Sequence, residues 1–229
     1  MKGTIAIFVH QPMCSVQSAN GIIKALSPNY TFKIFSRQEV ERDFFDDVDV
    51  VCFPGGIGDA DSFDYLLKNN AQHVKSFVRS GGAYLGICMG AYWASKHYLN
   101  ILDNVRAEQY IKRPNTDTKR PHAKAQRVLW KGQEEQMFFY DGCSLVGPGI
   151  NQSKIWALYP NGDPMAIMQG RIGVIGCHPE STEHWYDSYS WLAKKYHNGL
   201  HHQLLLDFVD NLVTNEQLNI RSRKLLNQR

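Results

Sequence analysis

No apolar run in this 229-residue chain reaches the ~18 residues a membrane-spanning helix needs, so nothing in it predicts a membrane anchor. The early stretch Ile5-Ala6-Ile7-Phe8-Val9 stops too soon for a secretory signal, and no cleavage site follows. It reads instead as a first, buried strand. Cysteine is sparse: the five, Cys14, Cys52, Cys88, Cys143 and Cys177, are odd in number and show neither close pairing nor metal-ligand spacing. That pattern argues against a disulfide framework or a cysteine metal site and predicts a reducing, cytoplasmic setting. Internal repeats, low-complexity tracts and linkers are also lacking, so residues 1–229 are expected to form one domain. Acids are scarce between Arg106 and Lys131, where eight Lys/Arg face only Glu108 and Asp117. Such a stretch could meet an acidic substrate, but weak aromatic interleaving argues against nucleic acid. The default reading is a solvated insertion near the mouth of a site.

What the chain does have is glycine at informative places. Gly86-Ile87-Cys88-Met89-Gly90 follows the apolar run Ala83-Tyr84-Leu85 and precedes a helix-compatible segment. A sharp strand-to-helix turn lifts its central side chain out of the sheet, and flanking glycines relieve the crowding. The N-terminal charge of a following helix favours thiolate. Read alone, the pattern equally describes an inert cysteine beside packing glycines. Gly176-Cys177-His178-Pro179-Glu180 follows the strand-like Ile172-Gly173-Val174-Ile175. In extended backbone residues i and i+2 share a side, so Glu180 can orient the His178 ring, and Pro179 keeps His178 out of the helical region. Read alone, this too could be an ordinary turn. Pro54-Gly55-Gly56 closes the apolar run Val48 to Phe53, where glycines let backbone N–H groups approach an oxyanion. A cysteine, a histidine and a carboxylate in that order supply nucleophile, base and orienter.

The three motifs, in this order, resemble the class I glutamine amidotransferase-like superfamily. More narrowly, the run from Gly81 to Ser95, with Ile5 to Val9 and Val50 to Gly56, is similar to the domain at the N-terminus of eukaryotic biotin-protein ligases and its stand-alone relatives. The resemblance spans residues 4 to about 182 and is thin between Val105 and Gln136. It implies a Cys88, His178, Glu180 triad with Gly55, Gly56 and the Met89 N–H near the oxyanion. Glutamine-hydrolysing members carry Gln four residues after the nucleophile. Tyr92 stands there in this chain, which argues against glutamine as substrate. Hydrolases with a Gly-x-Ser-x-Gly elbow place the acid before the histidine, and peptidases of the PfpI type place His directly after the cysteine, so both are set aside. The sequence has no synthetase partner domain to receive ammonia and lacks the length for a ligase catalytic domain, so biotinylation is not expected.

Short β-like runs at 4–9, 30–35, 48–53 and 82–87 alternate with helical candidates at 16–27 and 62–80, which calls for a parallel sheet covered on both faces. Asp59, Asp61 and Ser62 offer caps for the second helix, and Gly81-Gly82 end it. The helix after Cys88 is expected to reach His97. Strand candidates at 125–130, 136–140, 143–147, 154–159, 165–169 and 171–176 suggest an antiparallel extension, and Leu200 to Val213 a closing amphipathic helix. The expected architecture is an α/β, flavodoxin-like three-layer sandwich with a mostly parallel central sheet. His10 and the Trp185, Tyr186, Tyr189, Trp191 cluster are further pocket candidates, each with a structural alternative. Cys52 and Cys177 read as packing residues. Two functions stay open: a cysteine-dependent amide hydrolase or transferase, and a non-catalytic binding or regulatory module using the same pocket. The expected partner is a small acyl or amide substrate; a protein partner is left open, and no cofactor or metal is called for.

Overall fold

The computed structural model describes residues 1–11, 15–40, 42–68 and 70–214. Parallel strands β1 (Gly3–Phe8), β2 (Tyr30–Phe35), β3 (Val50–Phe53) and β4 (Ala83–Ile87) form one half of a nine-stranded sheet. Past β5 (Arg106–Gln109), the strands β6 (Lys124–Trp130), β7 (Gln133–Phe139), β8 (Cys143–Val146), β9 (Lys154–Leu158), β10 (Pro164–Gln169) and β11 (Ile172–Ile175) follow. The order across the sheet is β2-β1-β3-β4-β11-β10-β9-β6-β7, while β5 and β8 pair separately. The strand β11 joins the two halves, lying parallel to β4 and antiparallel to β10. This is the α/β architecture with a parallel core and an antiparallel extension.

The parallel strands are buried throughout because helices cover both faces, so alternate residues feed two separate cores. Ile5, Ile7, Val50, Cys52, Leu85 and Ile87 face one core, under α1 (Val16–Leu26) and α6 (Leu200–Thr214). Ala6, Phe8, Val51, Phe53 and Tyr84 face the other, under α2 (Ala60–Leu67), α3 (Ala71–Arg79) and α4 (Met89–Trp93). Each large side chain so buried contributes ~1.5–3 kcal/mol relative to exposure. None of the described helices is long and apolar enough to cross a membrane.

The helix expected over 62–80 is two helices. Asp59 caps α2 by accepting the Ser62 N–H at 2.8 Å. The helix ends at Leu67, and Asn70 opens α3 with its side-chain amide turned to the Arg37 carbonyl oxygen at 3.2 Å. Asn is a weak helix former because its side chain competes for backbone groups, and here it redirects the chain. The helix after Cys88 ends at Trp93 rather than near His97, where Ser95 Oγ accepts the Ala107 N–H of β5 at 2.9 Å. That strand, Arg-Ala-Glu-Gln, has no apolar alternation to announce it. The β6–β7 hairpin turns on Lys131 and Gly132, both at positive φ, the geometry a two-residue hairpin turn requires.

The basic stretch runs through β5 and β6 with six of its eight bases exposed, and three of the eight form ion pairs. Arg113 pairs with Glu108 at 2.8 Å and Asp163 at 2.8 Å, Arg106 with Glu108 at 2.7 Å, and Lys131 with Asp207 at 3.1 Å. Tyr110 stacks on Tyr159 with ring centroids 3.8 Å apart. The basic tail beyond Glu216 lies outside the described residues, as does Cys14.

Candidate active site

Ligands of open α/β sheets bind beyond the carboxyl ends of the strands. Here β3, β4 and β11 are sheet neighbours, with Phe53 level with Gly86 and Ile87 level with Ile175. The segments that follow them, Pro54-Gly55-Gly56, Cys88-Met89 and Gly176 to Glu180, therefore emerge side by side. Adjacency in the sheet brings together segments whose outermost residues, Pro54 and Glu180, are 126 positions apart.

Cys88 has φ 50° and ψ −99°, a conformation side chains rarely adopt. The backbone Cys88 N–H is held by the Ile175 carbonyl oxygen at 2.8 Å. Gly90 makes the turn possible: a Cβ there would stand 2.1 Å from the Phe53 carbonyl oxygen. Cys88 is 7% exposed and Sγ lies 3.8 Å from the Tyr140 carbonyl oxygen. Cys52, Cys143 and Cys177 are completely buried. Burial pushes the Cys177 thiol up to about 12 and the Cys143 thiol well above its ordinary value. Cys88 lines two cavities.

The His178 N–H donates to the Phe138 carbonyl oxygen at 2.9 Å, which pins β7 to the segment after β11. Its ring packs edge-on against Phe138 and Trp185. Nδ1 lies 2.9 Å from Glu180 Oε1, and His178 and Cys88 line the wall of one cavity. Burial alone would lower the His178 pKa, but the Glu180 carboxylate and Cys88 outweigh it and raise it to about 10. Glu180 is completely buried, so its charge acts on the imidazole with little solvent screening.

Ser18, on α1, had no motif to mark it. Its Oγ donates to Glu180 Oε1 at 2.6 Å and accepts the Gly55 N–H at 2.9 Å. One hydroxyl thus ties the first helix, the loop after β3 and the buried carboxylate together. Gly55 is the place where the histidine ring fits, since a Cβ would stand 2.7 Å from His178 Cε1. Its N–H is engaged by Ser18, whereas the Met89 N–H stands at the first position of α4, where no intrahelical acceptor exists. Behind Glu180, the Ser181 carbonyl oxygen accepts from His197 Nε2 at 2.9 Å and His202 Nε2 at 3.0 Å.

Cys88 borders two cavities. One, of about 370 Å³, has His178, Ser18, Gly55 and the aromatic residues Phe138, Trp185 and Tyr189 on its wall. The other, of about 470 Å³, is lined by Met89, Tyr92, Tyr98, Gln109 and the carboxylates Asp59 and Asp141. Gly56 and Tyr140 border both. The remaining candidates divide. Tyr186 is buried in the core against Phe138, and Trp191 sits at the surface with its indole N–H on the Ala123 carbonyl oxygen. His10 packs edge-on against Tyr65 and lines neither cavity. Among the described residues no group of three or more His, Cys, Asp or Glu is arranged to hold a metal ion.

Several solved structures share this arrangement of strands and helices. A glutamine amidotransferase from Thermotoga maritima superposes with TM-score 0.66 at 13% identity over 93% of this chain and 99% of its own. A second structure described as a glutamine amidotransferase gives 0.58 at 16% identity, over 78% and 91%. This is the class I glutamine amidotransferase-like fold. A ThuA-like protein from Bacteroides uniformis shares the fold as well, with TM-score 0.58 at 9% identity over 93% of this chain and 91% of its own. Residues 11–113 match the family model described as biotin-protein ligase, N terminal, a span that includes Gly55, Gly56 and Cys88 and ends before His178. No curated protein matches the sequence. In this amidotransferase-like frame Tyr92 is half-buried, its hydroxyl 3.4 Å from the Asp141 carbonyl oxygen, on the wall of the second cavity.

Proposed function

We propose that the protein is a cysteine-dependent amide hydrolase or transferase acting on a small acyl or amide substrate. The observation that carries this reading is Cys88 on a strained strand-to-helix turn, lining one cavity with a His178 that Glu180 holds at 2.9 Å. With its pKa raised, His178 is an imidazolium at neutral pH and stabilises a Cys88 thiolate beside it. The thiolate attacks the amide carbon, forming a C–S bond, and the carbonyl π pair moves to oxygen, which faces the Met89 N–H. As the C–N bond breaks, His178 delivers its proton to the departing amine and a thioester remains. Neutral His178 then takes a proton from water or an acceptor nucleophile. Its attack on the thioester regenerates thiolate and imidazolium.

The chain acts as one catalytic unit in this proposal, in a reducing compartment such as the cytoplasm, where its buried thiols stay free. One observation favours a second reading, a binding module that does not turn over: the Gly55 N–H already serves Ser18 and is not free for an oxyanion. Alkylation of Cys88 by iodoacetamide at pH 6, followed by peptide mass spectrometry, separates the two. Catalysis predicts labelling well above that of a free thiol of pKa ~8.5 and lost in His178→Ala. Slow labelling in both proteins favours the binding module.

A further inference from the structure

The two cavities that border Cys88 differ in charge. The first has His178 as its one titratable ring besides Cys88 and the two tyrosines, and no carboxylate on its wall. The second carries two carboxylates from separate elements, Asp59 in the loop before α2 and Asp141 in the turn between β7 and β8, and no Lys, Arg or His lines it. Both carboxylates are held in place without a basic partner. Asp59 Oδ1 accepts the Ser62 N–H, a hydrogen bond that favours the ionised form and lowers its pKa. Asp141 receives the Gln109 side-chain amide at 3.0 and 2.8 Å, and among the described residues neither Asp59 nor Asp141 forms an ion pair. The bases of the 106–131 segment that form ion pairs do so with Glu108, Asp163 and Asp207, away from this wall.

We infer that the second cavity is a subsite for a cationic group, an ammonium or guanidinium, carried by the amide substrate close to the scissile bond. This rests on the reading of Cys88 as the nucleophile. Cys88 lines the cavity, and its volume of about 470 Å³ admits an aminoalkyl or guanidinoalkyl arm. Two unpaired carboxylates in one concave wall create a local field that draws a cation and repels an anion. Tyr92 and Tyr98 add aromatic surface on which a cation packs well. A substrate bearing a carboxylate or phosphate on this side would be placed against like charge.

Three chloroacetamides with the same reactive carbon test this: N-(2-aminoethyl), N-propyl and N-(2-carboxyethyl). Their rates of Cys88 alkylation are measured by mass spectrometry at pH 6 and low salt, each divided by its rate with a small free thiol. The cationic probe is expected to outrun the anionic one by roughly tenfold, and 0.5 M salt to shrink that ratio several-fold. The double variant Asp59→Asn/Asp141→Asn should bring the ratio close to one; Asn retains helix-capping ability at position 59. A ratio near or below one in the unaltered protein overturns the inference. So does a preference that both the salt and the variant leave intact. The salt series decides the matter on the unaltered protein if the variant does not fold. The N-propyl probe compared with His178→Ala reports on the nucleophile separately, so failure of the subsite and failure of the catalytic reading give different results.

Discussion

Replacing Ser18 with Ala removes one oxygen atom and two hydrogen bonds. The first goes to Glu180 Oε1 at 2.6 Å, and a neutral donor bonding a buried carboxylate is worth ~1.5–3 kcal/mol. The second comes from the Gly55 N–H at 2.9 Å, which would be left buried without an acceptor at a cost of ~1–3 kcal/mol. Glu180 Oε2 has no hydrogen-bond partner among the described residues, so the carboxylate would depend on His178 alone. The two losses share one site and do not add fully, which gives a destabilisation of roughly 2–4 kcal/mol. Urea unfolding measures it directly: the midpoint should fall with an unchanged m-value, since the exposed surface on unfolding is nearly the same. Iodoacetamide labelling of Cys88 should slow as well, because a carboxylate with fewer donors holds the imidazole less firmly. A midpoint within about 0.5 kcal/mol of the unaltered protein, with labelling unchanged, would refute the idea that this hydroxyl organises the site.

Two further outcomes follow from the histidines. His178 should titrate near 10 rather than 6.5, and its stabilising contribution should be complete below about pH 6.5 and fade as the pH rises through about 10; an NMR titration of its ring protons with a midpoint near 6.5 would contradict this. His197 and His201 behave in the opposite sense: burial, the largest cause, lowers them to about 4 and about 3, helped by neighbouring imidazoles. The unfolded chain takes up protons at these positions below about pH 6.5 while the folded one does not, so stability should fall from there towards pH 3 to 4. Urea midpoints at pH 7 and pH 5 should differ accordingly, and a His197→Gln/His201→Gln variant should show a flatter dependence; equal slopes would exclude these two as the cause.

Much of the site could be read along the chain because its chemistry sits where strands end. Apolar runs mark β3, β4 and β11, and the glycines and the proline after them mark turns. Sheet order then does the rest, since β11 lies beside β4 despite the long excursion between them. Ser18 could not be read in this way. A serine inside an amphipathic helix looks like any polar residue, and its partners lie 37 and 162 positions away. The engagement of Gly55 with Ser18 was hidden for the same reason. β5 escaped notice because a separate two-stranded ribbon needs no continuous apolar face, and the division of α2 from α3 turned on one asparagine side chain bonded to a distant carbonyl. The acidic cavity is assembled from the loop after β3, α4, the end of β5 and the turns at 98 and 141, so no stretch of sequence displays its charge.

The position of β11 as the strand that joins the two halves of the sheet sets the moment at which Cys88 and His178 are brought together. A chain emerging from the ribosome can pair β1 to β4 early, with Cys88 in place before His178 has been made. His178 arrives only after the long antiparallel excursion, when β11 docks against β4 and β7 binds the segment beyond it. Contacts of such long range form late in folding. Cys88 and His178 therefore meet only in the step that closes the sheet.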